Sequence, residues 1–106
     1  MKRPDGSYVS WSDFFLWRDE VSRAWGRSVL VIMHATFAGK GLYADQWSVY
    51  ATKLGCRMPA DDDPVIRCVW PNSRWQSVPA MLIWAVIELD RLMLEREAES
   101  RAQAAF

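Results

Sequence analysis

The sequence predicts one small α+β domain, with helices packed over a small sheet in the order helix, strand, helix, strand, long C-terminal helix. Three observations point to that class. Apolar residues recur at intervals of three and four along 10–25 and again from 78 to about 100, which is the spacing of one helical face. Between these stretches lies the continuous apolar run Val29-Leu30-Val31-Ile32-Met33, whose β-branched content suits a buried strand. Prolines and glycines then cut the middle of the chain into short pieces. Because a short apolar run also fits a buried helix, an all-helical domain is the alternative.

In the first helix, Phe14, Trp17, Val21 and Trp25 form the stripe, Ser10 and Asp13 stand at capping-box spacing, and Gly26 supplies the stop. Asp13, Arg18, Asp19, Ser22 and Arg23 make its wet face. A strand is expected within 28–37, followed by a loop at Gly39-Lys40-Gly41. Tyr43, Trp47, Tyr50, Ala51 and Leu54 lie at helical spacing before Gly55, which predicts a second helix over 42–54. The acidic, proline-bounded segment 57–64 reads as a solvated loop. From 65 to 70 a short strand places Ile66, Cys68 and Trp70 on one face. Ser77 is a suitable cap for the last helix, with Pro79 inside its first turn. That helix is apolar all round over 81–87, which implies enclosure on every side and a buried Trp84. Beyond Glu88 only Leu89, Leu92, Met93 and Leu94 remain apolar.

The chain's 106 residues are enough for one core, with 1–9 and 101–106 as terminal extensions. Hydrophobic residues make up 51% and charged residues 25%, which excludes disordered and low-complexity classes. Net charge is zero, and this removes the overall attraction to phosphate on which most nucleic-acid binders rely. The charge is uneven, however, at +3 through Arg57 and −3 beyond it. The polar start of the chain and its two cysteines lead to the expectation of a reducing, cytoplasmic setting. The longest apolar run, 78–87, is about half a bilayer span, so no membrane segment is expected.

No catalytic, cofactor-binding or metal-binding residues are assigned. His34 is the only histidine and follows an apolar run, as a core or edge histidine does. Cys56 and Cys68 lack close-pair ligand spacing and read as buried thiols. Asp61-Asp62-Asp63 has no calcium-loop pattern, and Gly39-Lys40-Gly41 lacks the spacing of a phosphate loop. Ala51 and Gly55 have the spacing of a helix-turn-helix, but the would-be recognition segment 57–64 carries two prolines and three acids.

What remains is material for contacts. Seven tryptophans are several times the usual number, and Trp25, Trp47 and Trp84 read as core filling. Trp75 lies beside Arg74 in a polar turn where no periodicity requires it, so both are candidate partner-binding residues, with Arg18 and Arg23. Leu89, Leu92 and Met93 form a seam that is expected to pack on another chain, most simply a second copy across a two-fold axis. The expected function is non-enzymatic protein binding, and specifically an inhibitor of a host defence system of the anti-CRISPR kind, encoded by a phage or mobile element. One rival is a nucleic-acid-binding regulator using Arg18, Arg23, Arg27, Lys40 and Arg57. The other is an enzyme or small-ligand binder whose groups converge only in three dimensions, around His34, Tyr43, Tyr50 or the cysteines.

Overall fold

The structure, a computed structural model, describes residues 9–38 and 42–104. Helix α1 (Trp11–Trp25) leads into strand β1 (Arg27–Ala38), followed by β2 (Leu42–Lys53), β3 (Val65–Trp70) and helix α2 (Val78–Ala104). The strands form one antiparallel sheet in the order β1-β2-β3. The α+β class therefore holds and the all-helical alternative does not.

One element differs from the sequence reading: 42–54 is not a helix but contains the central strand β2. The apolar residues of this stretch satisfy two periods at once. Trp47, Val49 and Ala51 alternate onto the inner face of the sheet, where Val49 and Ala51 are fully enclosed, whereas Leu54 is left in solvent. Gly55 does need its flexibility, with φ of +86°, but in a tight turn closed by the Cys56 N–H donating to the Lys53 carbonyl at 3.0 Å. A glycine that ends a strand in such a turn looks, in sequence, like one that ends a helix. The helix-turn-helix idea falls with the helix. The loop at 39–41, including Lys40, lies outside the described residues.

The two helix starts form as their sequences dictate. The Asp13 N–H donates to Ser10 Oγ at 3.1 Å, and the Ser10 N–H returns a bond to the Asp13 carboxylate at 3.3 Å. Gly26 ends α1 in the left-handed region at φ +64° and turns the chain directly into β1. Ser77 Oγ accepts from the Ala80 N–H, capping α2.

Register assigns the faces. Val29 pairs with Ala51, Val31 with Val49, Met33 with Trp47, and Trp47 in turn with Cys68, which puts all of them on one side. Both helices supply the core that covers this side, through Phe14, Trp17 and Val21 of α1 and Met81, Leu82, Ala85, Val86 and Leu89 of α2. The opposite face carries Leu30, Ile32, Ser48, Tyr50, Val65 and Val69, none of which belongs to that core. Among the tryptophans only Trp17 is buried, while Trp25, Trp47, Trp70, Trp75 and Trp84 are partly buried against the core and Trp11 is exposed. The core centre is Phe14 with aliphatic residues, and every indole but that of Trp17 rims it, as befits a side chain too large to be enclosed often.

Helix α2 has 27 residues and so runs about 40 Å, in a molecule 53 Å by 33 Å by 26 Å. Its radius of gyration, 15.3 Å, exceeds the ~13 Å of a compact chain of this length, because the charged end of α2 projects past the sheet. Arg91 bridges Glu88 and Glu95 along that end, and Arg101 pairs with Glu97. Among the described residues, no helix is long and apolar enough to cross a membrane.

The enclosed seam of α2 sets a test. Leu89 is 0% exposed and Leu94 is 58% exposed. Leu89→Ala should cost about 2–5 kcal/mol, through lost burial and the cavity left behind. Leu94→Ala should stay within about 0.5 kcal/mol. Urea unfolding midpoints of the two variants measure the contrast.

Candidate functional site

The largest side chains left in solvent on a regular element cluster at the start of α1. Trp11 is 41% exposed, Phe15 43% and Leu16 67%. They follow from four successive apolar residues, Phe14-Phe15-Leu16-Trp17, on a helix that advances about 100° per residue. Such a run cannot all face one core. Phe14 and Trp17 take the inner side, and Phe15 and Leu16 are turned out.

The platform is held in place by ring contacts. Trp11 stacks on Phe15 with centroids 5.7 Å apart and leans on Trp47 of the sheet at 5.8 Å, while Phe14 meets Trp11 edge-on at 6.2 Å. The Arg18 guanidinium lies 5.0 Å from the Phe15 centroid and bonds Asp19 at 3.3 Å. Two rigid aromatics, an aliphatic neighbour and an arginine are the composition of an interaction hot spot. Beneath them the Trp47 indole N–H is enclosed without an acceptor, a feature for which the surrounding residues offer no physical account.

Of this group the sequence singles out Arg18 as a contact residue and leaves Trp11 intermediate between core packing and contact. The sequence reading placed Arg18 and Arg23 on a wet face and passed over Phe15 and Leu16, which sit among those polar residues. The signal was present: a helix whose polar side is broken by Phe and Leu is marked for contact. Arg23 is exposed and stands apart from the rings.

The other predicted contact residues are engaged inside the domain. Trp75 packs on Trp84 at 5.0 Å, and the Arg74 guanidinium lies over both rings, at 4.7 and 5.4 Å. This stack closes the core at the start of α2. It accounts for Trp75 in its polar turn, and it leaves Trp84 partly covered rather than fully buried. The seam of Leu89, Leu92 and Met93 is likewise used by its own domain. Leu89 is fully enclosed, and Leu92 and Met93 pack partly buried against the core. Leu89 is therefore closed to another chain, and the expectation that the seam packs on a second copy is corrected at that residue and gains no support from Leu92 and Met93. The sheet and α1 take up the cover that Leu89 would have offered a partner.

Among the described side chains, which do not include that of Tyr43, the groups proposed for chemistry do not converge. His34 is exposed on β1 and Cys56 is exposed in its loop, contrary to its reading as a buried thiol. Cys68 is buried and unpaired with it. Among the described residues no three of His, Cys, Asp and Glu gather as metal ligands do. Tyr50 lies on the open face of the sheet, opposite in register to Leu30.

An open groove of about 480 Å³ does run between α2 and the 60–64 loop, lined by Trp25, Arg27, Asp63, Asp90, Met93 and Arg96 among others. Several of its polar groups are committed to structural bonds. The Trp25 indole donates to Asp90 at 2.9 Å, and Arg96 donates to the Asp62 carbonyl at 3.2 Å. Asp63 accepts from the Ala60 N–H at 2.7 Å. That bond, then one from Thr52, and the charge of Arg27 hold the Asp63 carboxyl below its ordinary range. A carboxylate favoured in this way steadies the loop at neutral pH, and its contribution is lost as pH falls below the usual Asp range.

The two thiols should behave differently. Burial pushes the Cys68 thiol up to about 11, whereas Cys56 stands in water. At pH 8 a colorimetric thiol reagent should titrate one cysteine per chain at once and the second only on unfolding. Because Cys68 holds its proton more tightly when folded, it supports the fold fully below about 9 and loses that support as pH rises through about 11. Two equally fast thiols at pH 8 would refute the assignment.

No known protein family, curated protein or solved structure matches the chain.

Proposed function

We propose that the chain is a non-enzymatic protein-binding domain whose contact surface is the platform of Trp11, Phe15 and Leu16, flanked by Arg18. The observation that carries this reading is the exposure of two stacked aromatic rings, with Leu16 beside them, on a helix whose Phe14, Trp17 and Val21 are buried. Holding Trp11 and Phe15 against water lowers the stability of the isolated chain, and covering them with a partner recovers that free energy. Because the rings are fixed by Phe14, Trp47 and Arg18, little side-chain freedom is lost on binding. Within this class we favour an inhibitor that occludes a working surface of a larger machine, such as a host defence complex of the CRISPR type. A small rigid domain with one hydrophobic face is suited to occlusion.

Nucleic-acid binding gains no such support. Arg18 is engaged by Phe15 and Asp19, and Arg27 donates to the Ala51 carbonyl beside Asp63.

The test uses wild-type protein and a Trp11→Ala/Phe15→Ala double variant as baits in extract from the native cell, with quantitative mass spectrometry. A single enriched protein should remain bound to wild type in high salt, as an apolar contact does. The double variant should bind it at least about 30-fold more weakly, the loss typical of a truncated hot spot. Circular dichroism should show both baits folded. A partner retained equally by both, or retention that vanishes steeply with salt, would reject the platform.

A further inference from the structure

The two edges of the sheet are built differently. β3 is six residues long, carries exposed Arg67, and is bounded by Pro64 and Pro71. Short length, a charged side chain and proline are the devices that keep an edge strand from pairing with another chain. β1 has none of them. It spans 12 residues, pairs with β2 without a bulge, and contains no Lys, Asp, Glu or Pro, its one arginine standing at its first residue.

Which backbone groups β1 offers follows from one bond. The Ala51 N–H donates to the Pro64 carbonyl, on the β3 side of β2. Along an antiparallel strand the N–H and C=O of one residue point to the same side, and successive residues alternate. Ser48, Tyr50 and Thr52 therefore address β1, meeting Ile32, Leu30 and Ser28 in register. The groups of Val31, Met33 and Ala35 consequently point away from β2. Among the described residues nothing hydrogen-bonds to them. Met33, 47% exposed, lies in the middle of this segment.

We infer that a second copy of this chain pairs with that edge, β1 against β1 antiparallel about a two-fold axis at Met33, joining two three-stranded sheets into one of six. In this register Val31 faces Ala35 of the second copy, Met33 faces Met33, and Ile32 stands beside His34. Among the described residues no like charges meet. A self-complementary strand is the occupant that such an uncharged edge fits, because one symmetric contact closes both open edges together. The dimer's remaining edges are then the two guarded β3 strands. The chain's zero net charge places no overall repulsion between the copies.

Light scattering and sedimentation of the full chain over a concentration series test this. Wild type should read twice the chain mass at tens of micromolar. Ala35→Pro removes an outward N–H without touching the β1–β2 ladder, and Met33→Lys places a charge at the axis. Each should weaken association at least about tenfold and leave the thermal melt near wild type. His34→Pro is the internal control: its N–H faces β2, so it should lower the melt instead. In a Cys56→Ser background, Met33→Cys should form a disulfide-linked dimer on mild oxidation, and Leu94→Cys should not. A wild type monomeric to hundreds of micromolar overturns the inference. So does a dimer that neither Ala35→Pro nor Met33→Lys weakens, since such a dimer would use another surface.

Discussion

Everything in this domain depends on the apolar first half of α2 lying across one face of a sheet too small to stand alone. Three strands gain independent stability only when a hydrophobic face is covered. Met81, Leu82, Ala85, Val86 and Leu89 supply that cover and are themselves fully enclosed by it. The all-round apolarity of 81–87 is thereby explained: β2 and β3 lie under it, α1 lies beside it, and the Trp75–Trp84–Arg74 stack closes its start. Once the helix passes Met93 it has left the sheet behind. From Glu88 on, its charged residues hold one another by exposed ion pairs at i, i+3 and i, i+4, which contribute little to stability.

A core filled by Phe14, Trp17 and aliphatic residues leaves the other indoles to work at boundaries. Trp25 joins α1 to α2 through Asp90, Trp75 and Trp84 seal one end of α2, and Trp47 supports Trp11 from the sheet. Each presents an apolar body to the core and, in Trp25, a polar edge to a partner. The abundance of tryptophan thus reflects a small domain with much rim and little interior. Among the described residues, only at Trp11, where Phe15 and Leu16 extend the rim outward, does the aromatic surface exceed what the core can use.

Residue by residue, the sequence was most legible where one physical requirement acted alone. The capping box at Ser10 and Asp13, the positive φ of Gly26, the cap at Ser77 and the alternation of Ile66, Cys68 and Trp70 each serve a single local need. Reading failed where two periods coincided. In 42–54 the residues Trp47 and Ala51 are compatible with a helix stripe and with a strand face, and only pairing with β1, remote in sequence, decides between them. The same remoteness hid the fate of Leu89. Its spacing shows an apolar seam, but whether the seam is covered by its own sheet or by another chain depends on where the sheet ends. The candidate platform was half visible, since Phe15 and Leu16 interrupt a polar face, and that interruption carries more information than the tryptophan count.

The surfaces left over are complementary in kind. The platform proposed on α1 is side-chain surface, which discriminates by shape, whereas the edge of β1 is backbone, whose hydrogen bonds by themselves discriminate little. Met33 stands near both, because it neighbours Trp47 in register and Trp47 touches Trp11. A domain that left this edge open while displaying aromatics beside it would combine two features that drive nonspecific association. Closing the edge on a second copy, as inferred above, would remove the unselective surface and keep the selective one. It would also set two platforms in fixed relation across the axis, so a partner offering two sites would be held by both, with the second contact made intramolecular.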